Sequence, residues 1–149
     1  MPQSYSAVHV HLVFSTFERR PLLHDHGIRD EMHRVLGSLS GHLGCPTVVV
    51  GGVADHVHVL ASLGREVSQS DWAKELKRQS TGWAKAKVPE FRWQGGFGAF
   101  SVGRSELPVV RPYIERQEEH HRTVSFEEEF LALLKEHGVE FDEKYLWRP

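Results

Sequence analysis

Cysteine is almost absent from the chain. Cys45 is the only one among 149 residues, which excludes an intrachain disulfide and points to a reducing compartment. Long apolar runs are missing too, and so is the charged-then-apolar pattern of a leader, so a cytoplasmic protein without a membrane partner is expected. Excess charge of one sign is also lacking. The formal net charge is −2, which rules out a global basic field, so any contact with nucleic acid has to be local. Repeats, low-complexity tracts and linkers are not found, and residues 1–149 read as one domain with a sizeable core. What the chain does have is histidine, 11 in all, and an uneven spread of charge. Cations gather between Arg65 and Arg111, among them Lys74, Lys77, Arg78, Lys85, Lys87, Arg92 and Arg104, while Glu118-Glu119, Glu127-Glu128-Glu129 and Asp142-Glu143 make the C-terminal part acidic.

Hydrophobic periodicity gives the order of elements. Ala7 to Phe14 alternates strictly and is a strand, followed by a loop from Ser15 to Pro21. Ile28, Met32, Val35, Leu36, Leu39 and Leu43 recur at helical spacing, with Gly44 and Pro46 closing the helix. Thr47 to Val50 and Val53 to Leu63 read as a hairpin turned by Gly51-Gly52. A second helix starts near Ser70 and places Trp72, Leu76 and Trp83 on one face. Phe97 to Val102 is a fourth strand, Pro112 to His121 a third helix, and Ser125-Phe126-Glu127-Glu128 a capping box opening a fourth helix that Gly138 ends. The succession β-α-β-β-α-β-α-α predicts an α+β fold: a ferredoxin-like (RRM-like) antiparallel sheet with helices on one face and added C-terminal helices.

Two spacings carry chemistry. His56 and His58 flank one valine, and in a strand residues i and i+2 face the same side, so both imidazoles project toward one metal ion. Tyr113 and Gln117 are four apart and share a helix face. A metal-binding pair with a tyrosine-plus-amide pair suggests phosphodiester cleavage by a tyrosine nucleophile. The same frame recurs at His9-Val10-His11, which lacks a preceding turn and reads as structural, with His11 able to reach the edge of the site from the neighbouring strand. Arg19, Arg20, Lys77 and Arg78 are the candidates for phosphate contacts, being cations on loops and helix faces. Trp93, Phe97 and Phe100 compete between base stacking and burial in the sheet. The Glu127-Glu128-Glu129 run reads as a helix N-terminus favoured by the macrodipole.

With His11-Leu12-Val13-Phe14-Ser15-Thr16, Asp55-His56-Val57-His58, Phe91 to Val102, and Tyr113-Ile114 through Gln117 to His120-His121 in this order, the chain resembles the HUH single-tyrosine transposases of minimal insertion sequences and their REP-associated relatives. The resemblance runs from about His9 to Trp147. It implies that His56 and His58 match the metal-binding pair, Gln117 the third ligand and Tyr113 the nucleophile. It further implies cleavage and rejoining of single-stranded DNA beside hairpins through a 5′-phosphotyrosine link with a free 3′-OH. Homodimers are implied as well, the tyrosine helix of one subunit often completing the site of the other. Pro112 directly before the tyrosine departs from the pattern, and His120-His121, following the ligand position, reads as structural or DNA-proximal. Mg²⁺ is the expected cation, with Mn²⁺ substituting, since Mg²⁺ prefers oxygen donors and later metals accept imidazole better. Two other readings stand beside this one: a catalytically idle or domesticated nucleic-acid-binding module on the same sheet, and a small-molecule metalloenzyme for which the basic residues are incidental.

Overall fold

The computed structural model describes residues 3–147. Strands β1 (His9–Ser15), β2 (Thr47–Val53), β3 (His56–Ser62) and β4 (Gly98–Val102) form one antiparallel sheet in the order β2-β3-β1-β4. Helices α1 (His26–His42) and α2 (Gln69–Lys85) connect them in the expected β-α-β-β-α-β succession. They are followed by α3 (Leu107–Glu115), α4 (Gln117–His120), α5 (Phe126–Glu136) and α6 (Glu143–Leu146).

Alternation along the strands decides what each face meets. Val10, Leu12 and Phe14 of β1 and Val57, Val59 and Ala61 of β3 pack with Met32 and Leu36 of α1 and with Trp72, Ala73 and Leu76 of α2. The opposite face carries His11, Val13, His56, His58 and Leu60. There Val13 and Phe100 meet Phe126, Leu133 and Leu134, while Leu60 and Val102 meet Ile114. The added C-terminal helices therefore cover the second face of the sheet, and polar side chains on that face are buried. Asp25 caps α1 by accepting from the Ile28 amide at 3.0 Å, and Ser68 caps α2 through the Asp71 amide at 3.0 Å. The capping box at Ser125 and Glu128 opens α5 as the sequence indicates, and Gly138 (φ 66°) follows its end.

Two elements differ from the sequence reading. Gly51-Gly52 does not turn the hairpin; both residues lie inside β2, and the reversal falls at Ala54-Asp55. Their glycine character serves close approach instead. A Cβ on Gly51 would lie 2.4 Å from the Ile114 carbonyl oxygen of α3, and one on Gly52 (φ 153°) would lie 2.3 Å from the His56 carbonyl oxygen. The tyrosine helix, expected to start at Pro112, starts at Leu107 with Pro108 in its first turn and Pro112 inside it. Arg116 (φ −102°, ψ 26°) separates α3 from the single turn of α4. Proline 112 withholds one amide from the helix, and the break follows four residues later.

A buried histidine, glutamate and tyrosine cluster

β3 delivers His56 and His58, both fully buried, to the face covered by α3, α4 and α5. Gln117, the first residue of α4, is 1% exposed and brings its side-chain oxygen to 3.1 Å from His56 Nε2. Tyr113, on the last turn of α3, is half-buried with its ring centroid 5.8 Å from that of His58. The four residues singled out as nucleophile and metal ligands thus come together, although up to 61 positions separate them in sequence.

Four more side chains occupy the same cluster: His121, Glu129, His11 and His120, whose Nε2 lies 3.4 Å from the Glu129 carboxylate. His121 Nε2 lies 2.9 Å from Gln117 Oε1. Glu129, from the buried side of α5, places one carboxylate oxygen 3.1 Å from the Nε2 atoms of His56, His58 and His121 alike. Its other oxygen accepts from Gln117 Nε2 at 3.0 Å and from the Tyr113 hydroxyl. His11 joins His58 through a 2.7 Å hydrogen bond between His11 Nε2 and His58 Nδ1, which is the edge-of-site position expected from strand adjacency. One candidate metal group is found among the described residues: His56, His58, His121 and Glu129, with donor atoms within 4.8 Å of one another.

The sequence reading missed His121 and Glu129. The run Glu127-Glu128-Glu129 reads as a helix N-terminus favoured by the macrodipole, yet Glu129 shares the stripe of Phe126, Leu133 and Leu134. A carboxylate on the buried stripe was the available signal. His121 carries a signal too, its four-residue spacing from Gln117, although the pair His120-His121 reads as structural or DNA-proximal.

Burial and neighbours set the charges. Desolvation opposes a charge on His56, but Asp55, accepting from Nδ1 at 2.7 Å, and Glu129 outweigh it and raise the pKa to about 9. His58 lacks such an Asp partner, and burial lowers it to about 4 despite Glu129. Burial and the nearby His58 lower His11. Burial would raise the Glu129 carboxyl, yet hydrogen bonds from His121, His56 and His58 hold it well below the usual carboxylate range. Tyr113 is pushed up by burial and by the adjacent Glu129 charge. The phenol is therefore a donor held by Glu129, and a cation among the imidazoles would reverse the sign of the local field.

The cations proposed for phosphate contacts do not form one patch. Arg19 pairs with Glu127 at 2.8 Å and lies over the Trp147 ring, and Arg20 pairs with Glu18 at 2.6 Å. Arg19 borders a cavity of about 660 Å³ also lined by Asp55 and His121, and Arg20 follows it in the chain. Lys77 and Arg78 are on α2, across the sheet from the cluster. Lys77 donates to the carbonyl oxygens of Gln94, at 2.8 Å, and Gly96; burial lowers its pKa to about 8. Arg78 pairs with Glu75 at 2.7 Å. Trp93 and Phe100 are buried and Phe97 is exposed.

No described helix is long and apolar enough to cross a membrane, and no curated protein matches the chain. Among solved structures, a protein of Deinococcus radiodurans R1 assigned as a transposase superposes with a TM-score of 0.62 at 21% identity, covering 78% of this chain and 96% of that one. A REP-associated tyrosine transposase bound to a REP hairpin gives a TM-score of 0.61 at 17% identity, covering 83% of this chain and 74% of that one. At these identities the likeness establishes the fold. The family model described as "Transposase IS200 like" matches residues 4–117, a span that contains β1, the His56-Val57-His58 pair and Tyr113, and ends on Gln117. The chain belongs to the IS200-like transposase family.

Proposed function

We propose that the protein cleaves and rejoins single-stranded DNA at hairpin-flanked sites, with Tyr113 as nucleophile and a divalent cation held by His56, His58 and Gln117. The observation that carries this reading is the convergence of Tyr113 and Gln117 from α3 and α4 on the β3 histidines within one buried cluster. The donors fit a cation: Asp55 accepts from His56 Nδ1, which turns Nε2 inward as the nitrogen that would ligate once its proton is displaced. When bound, Mg²⁺ or Mn²⁺ would polarise the scissile phosphate and offset the charge that develops on it.

Tyr113 Oη attacks phosphorus, the Tyr O–P bond forms, and the P–O3′ bond breaks. The 3′ oxygen leaves as a hydroxyl, taking up a proton, while the phenol proton leaves toward the carboxylate that already accepts it. The phosphotyrosine ester retains the bond energy, so attack by a 3′-OH in the reverse direction needs no ATP. Arg19 and Arg20, near the cluster, are the better placed of the proposed phosphate contacts, with Lys77 and Arg78 as contacts for DNA passing the α2 face. A homodimer acting in the cytoplasm, built from one unit spanning residues 1–149, completes the proposal. It rests on the family membership, the hairpin bound by the REP-associated relative, and the lone thiol.

Single-stranded hairpin DNA incubated with the protein and Mg²⁺ or Mn²⁺ is expected to give a denaturant-resistant adduct. Tyr113→Phe should abolish the adduct and keep DNA binding; a normal adduct yield from this variant would overturn the assignment. One observation favours an idle nucleic-acid-binding module as second reading. The Tyr113 hydroxyl is held by Glu129, and the groove in front of it also carries Glu106, Glu128 and Glu136. Hairpin binding without any adduct, with either cation, would select that reading.

A further inference from the structure

The cluster contains more donors than the two histidines and one amide need. Three imidazoles aim their Nε2 atoms at one point, and each is oriented from behind. His56 Nδ1 is bonded to Asp55 Oδ1 at 2.7 Å, His121 Nδ1 to the Val124 carbonyl at 2.6 Å, and His58 Nδ1 to His11 Nε2 at 2.7 Å. A carbonyl oxygen only accepts, so His121 carries a proton on Nδ1 and turns Nε2 to the centre as the nitrogen able to ligate. The Asp55 carboxylate likewise holds a proton on His56 Nδ1, so a cation would displace only a proton from Nε2. One carboxylate oxygen has two lone pairs for three imidazole Nε2 atoms, so protons alone do not satisfy all three contacts well.

Glu129 poses the complementary question. It is 3% exposed, and among the described residues its ion-pair partners are imidazoles only, with no lysine or arginine. A buried carboxylate without a permanent cation is costly. Both difficulties vanish if one metal ion binds the three Nε2 atoms and the Glu129 oxygen that now lies 3.1 Å from each. His121 and Glu129 also lie beyond residues 4–117, so the family match does not account for them.

We propose that His121 and Glu129 are ligands of the same cation as His56, His58 and Gln117, and that this set takes a first-row transition ion ahead of Mg²⁺. Three imidazoles with two oxygens form a borderline donor set. Mg²⁺ dehydrates reluctantly and favours oxygen, whereas affinity for nitrogen donors rises from Mn²⁺ toward Zn²⁺. The second Glu129 oxygen stays directed at Tyr113, so metal and nucleophile share one carboxylate. This inference deepens the transposase reading and rests on it for the identity of the site.

The test uses full-length protein stripped of metal. Calorimetry and thermal shift should show Zn²⁺ and Mn²⁺ binding at least 100-fold more tightly than Mg²⁺. His121→Ala and Glu129→Gln should each weaken Mn²⁺ binding by roughly 10–100-fold or more, and Lys135→Ala, an exposed change, should not. Pulsed electron paramagnetic resonance on Mn²⁺-loaded wild type with ¹⁵N-labelled histidine should count three coordinated imidazoles, whether or not the variants fold. Two coordinated imidazoles, wild-type affinity in both variants, or Mg²⁺ equal to Mn²⁺ would overturn the proposal. A Tyr113-dependent adduct obtained alongside two imidazoles would leave the transposase reading intact. Three imidazoles without an adduct would sink that reading and keep the ligand assignment.

Discussion

His33 lies on α1 with a buried Nε2 that has no hydrogen-bond partner, and burial lowers its pKa to about 4. The unfolded chain binds a proton at this residue near pH 6.5, so between pH 6.5 and 4 the unfolded state holds more protons than the native one. Stability must therefore fall as pH drops through that window, by up to about 1.4 kcal/mol per pH unit from this one group. His33→Leu should flatten that part of the profile in urea unfolding of metal-free protein measured from pH 7 to 4. An unchanged slope would mean that water reaches the ring. Glu129 shows how far single residues could be read beforehand. Its place on the apolar stripe of α5 was visible in the sequence, but the run of three glutamates offered a simpler explanation through the helix dipole. His56 and His58 were legible because a strand leaves i and i+2 no choice of face. His121 stood one turn beyond Gln117, but that spacing suits a structural or DNA-proximal histidine equally well.

At the scale of elements, the sheet was readable because strict alternation in β1 and the capping signals of α1, α2 and α5 are local. The β2–β3 reversal was misread because two adjacent glycines signal a turn and a tight tertiary contact equally well. That contact fixes the tyrosine helix. Gly51 lets the Ile114 carbonyl sit where a methyl group would be, and Ile114 is the neighbour of Tyr113. Gly51→Ala should push α3 off β2, because backbone on both sides cannot swing away as a side chain would. Overpacking of this kind costs about 1–3 kcal/mol, which for a chain of this size lowers Tm by roughly 2–12 °C. Adduct formation should fall more than tenfold, because Tyr113 and Gln117 move with the helix. Gly41→Ala on α1, where a Cβ meets nothing within 4 Å, is the control and should hold or raise Tm. Gly51→Ala with wild-type Tm and adduct yield would show that β2 does not set the position of Tyr113.

The whole molecule raises the question of which chain supplies the nucleophile. A tyrosine helix beginning at Pro112 would hang on a connection from Gly103 onward, long enough to dock on either subunit. The structure shortens that connection to residues 103–106, three of which form a 3-10 turn, Arg104–Glu106. The turn is fastened by Glu106, whose carboxylate accepts from the Gly103 amide at 2.7 Å. Four extended residues reach at most about 14 Å, and this turn uses them in a compact form. The Ile114 contact with Gly51 seats α3 on β2 of the same chain, which brings Tyr113 to His56 and His58 within one chain. A dimer of two 17.0 kDa chains, measurable by light scattering, would accordingly contain two complete sites. Mixing Tyr113→Phe subunits with His56→Ala/His58→Ala subunits should give no adduct above that of either variant alone, since every site keeps one defect. Recovery toward half of the wild-type yield would require the helix to leave its own sheet, with the 3-10 turn unwound. Replacing Glu106 by Ala should then increase the recovery, whereas in the arrangement described it leaves the mixture inactive.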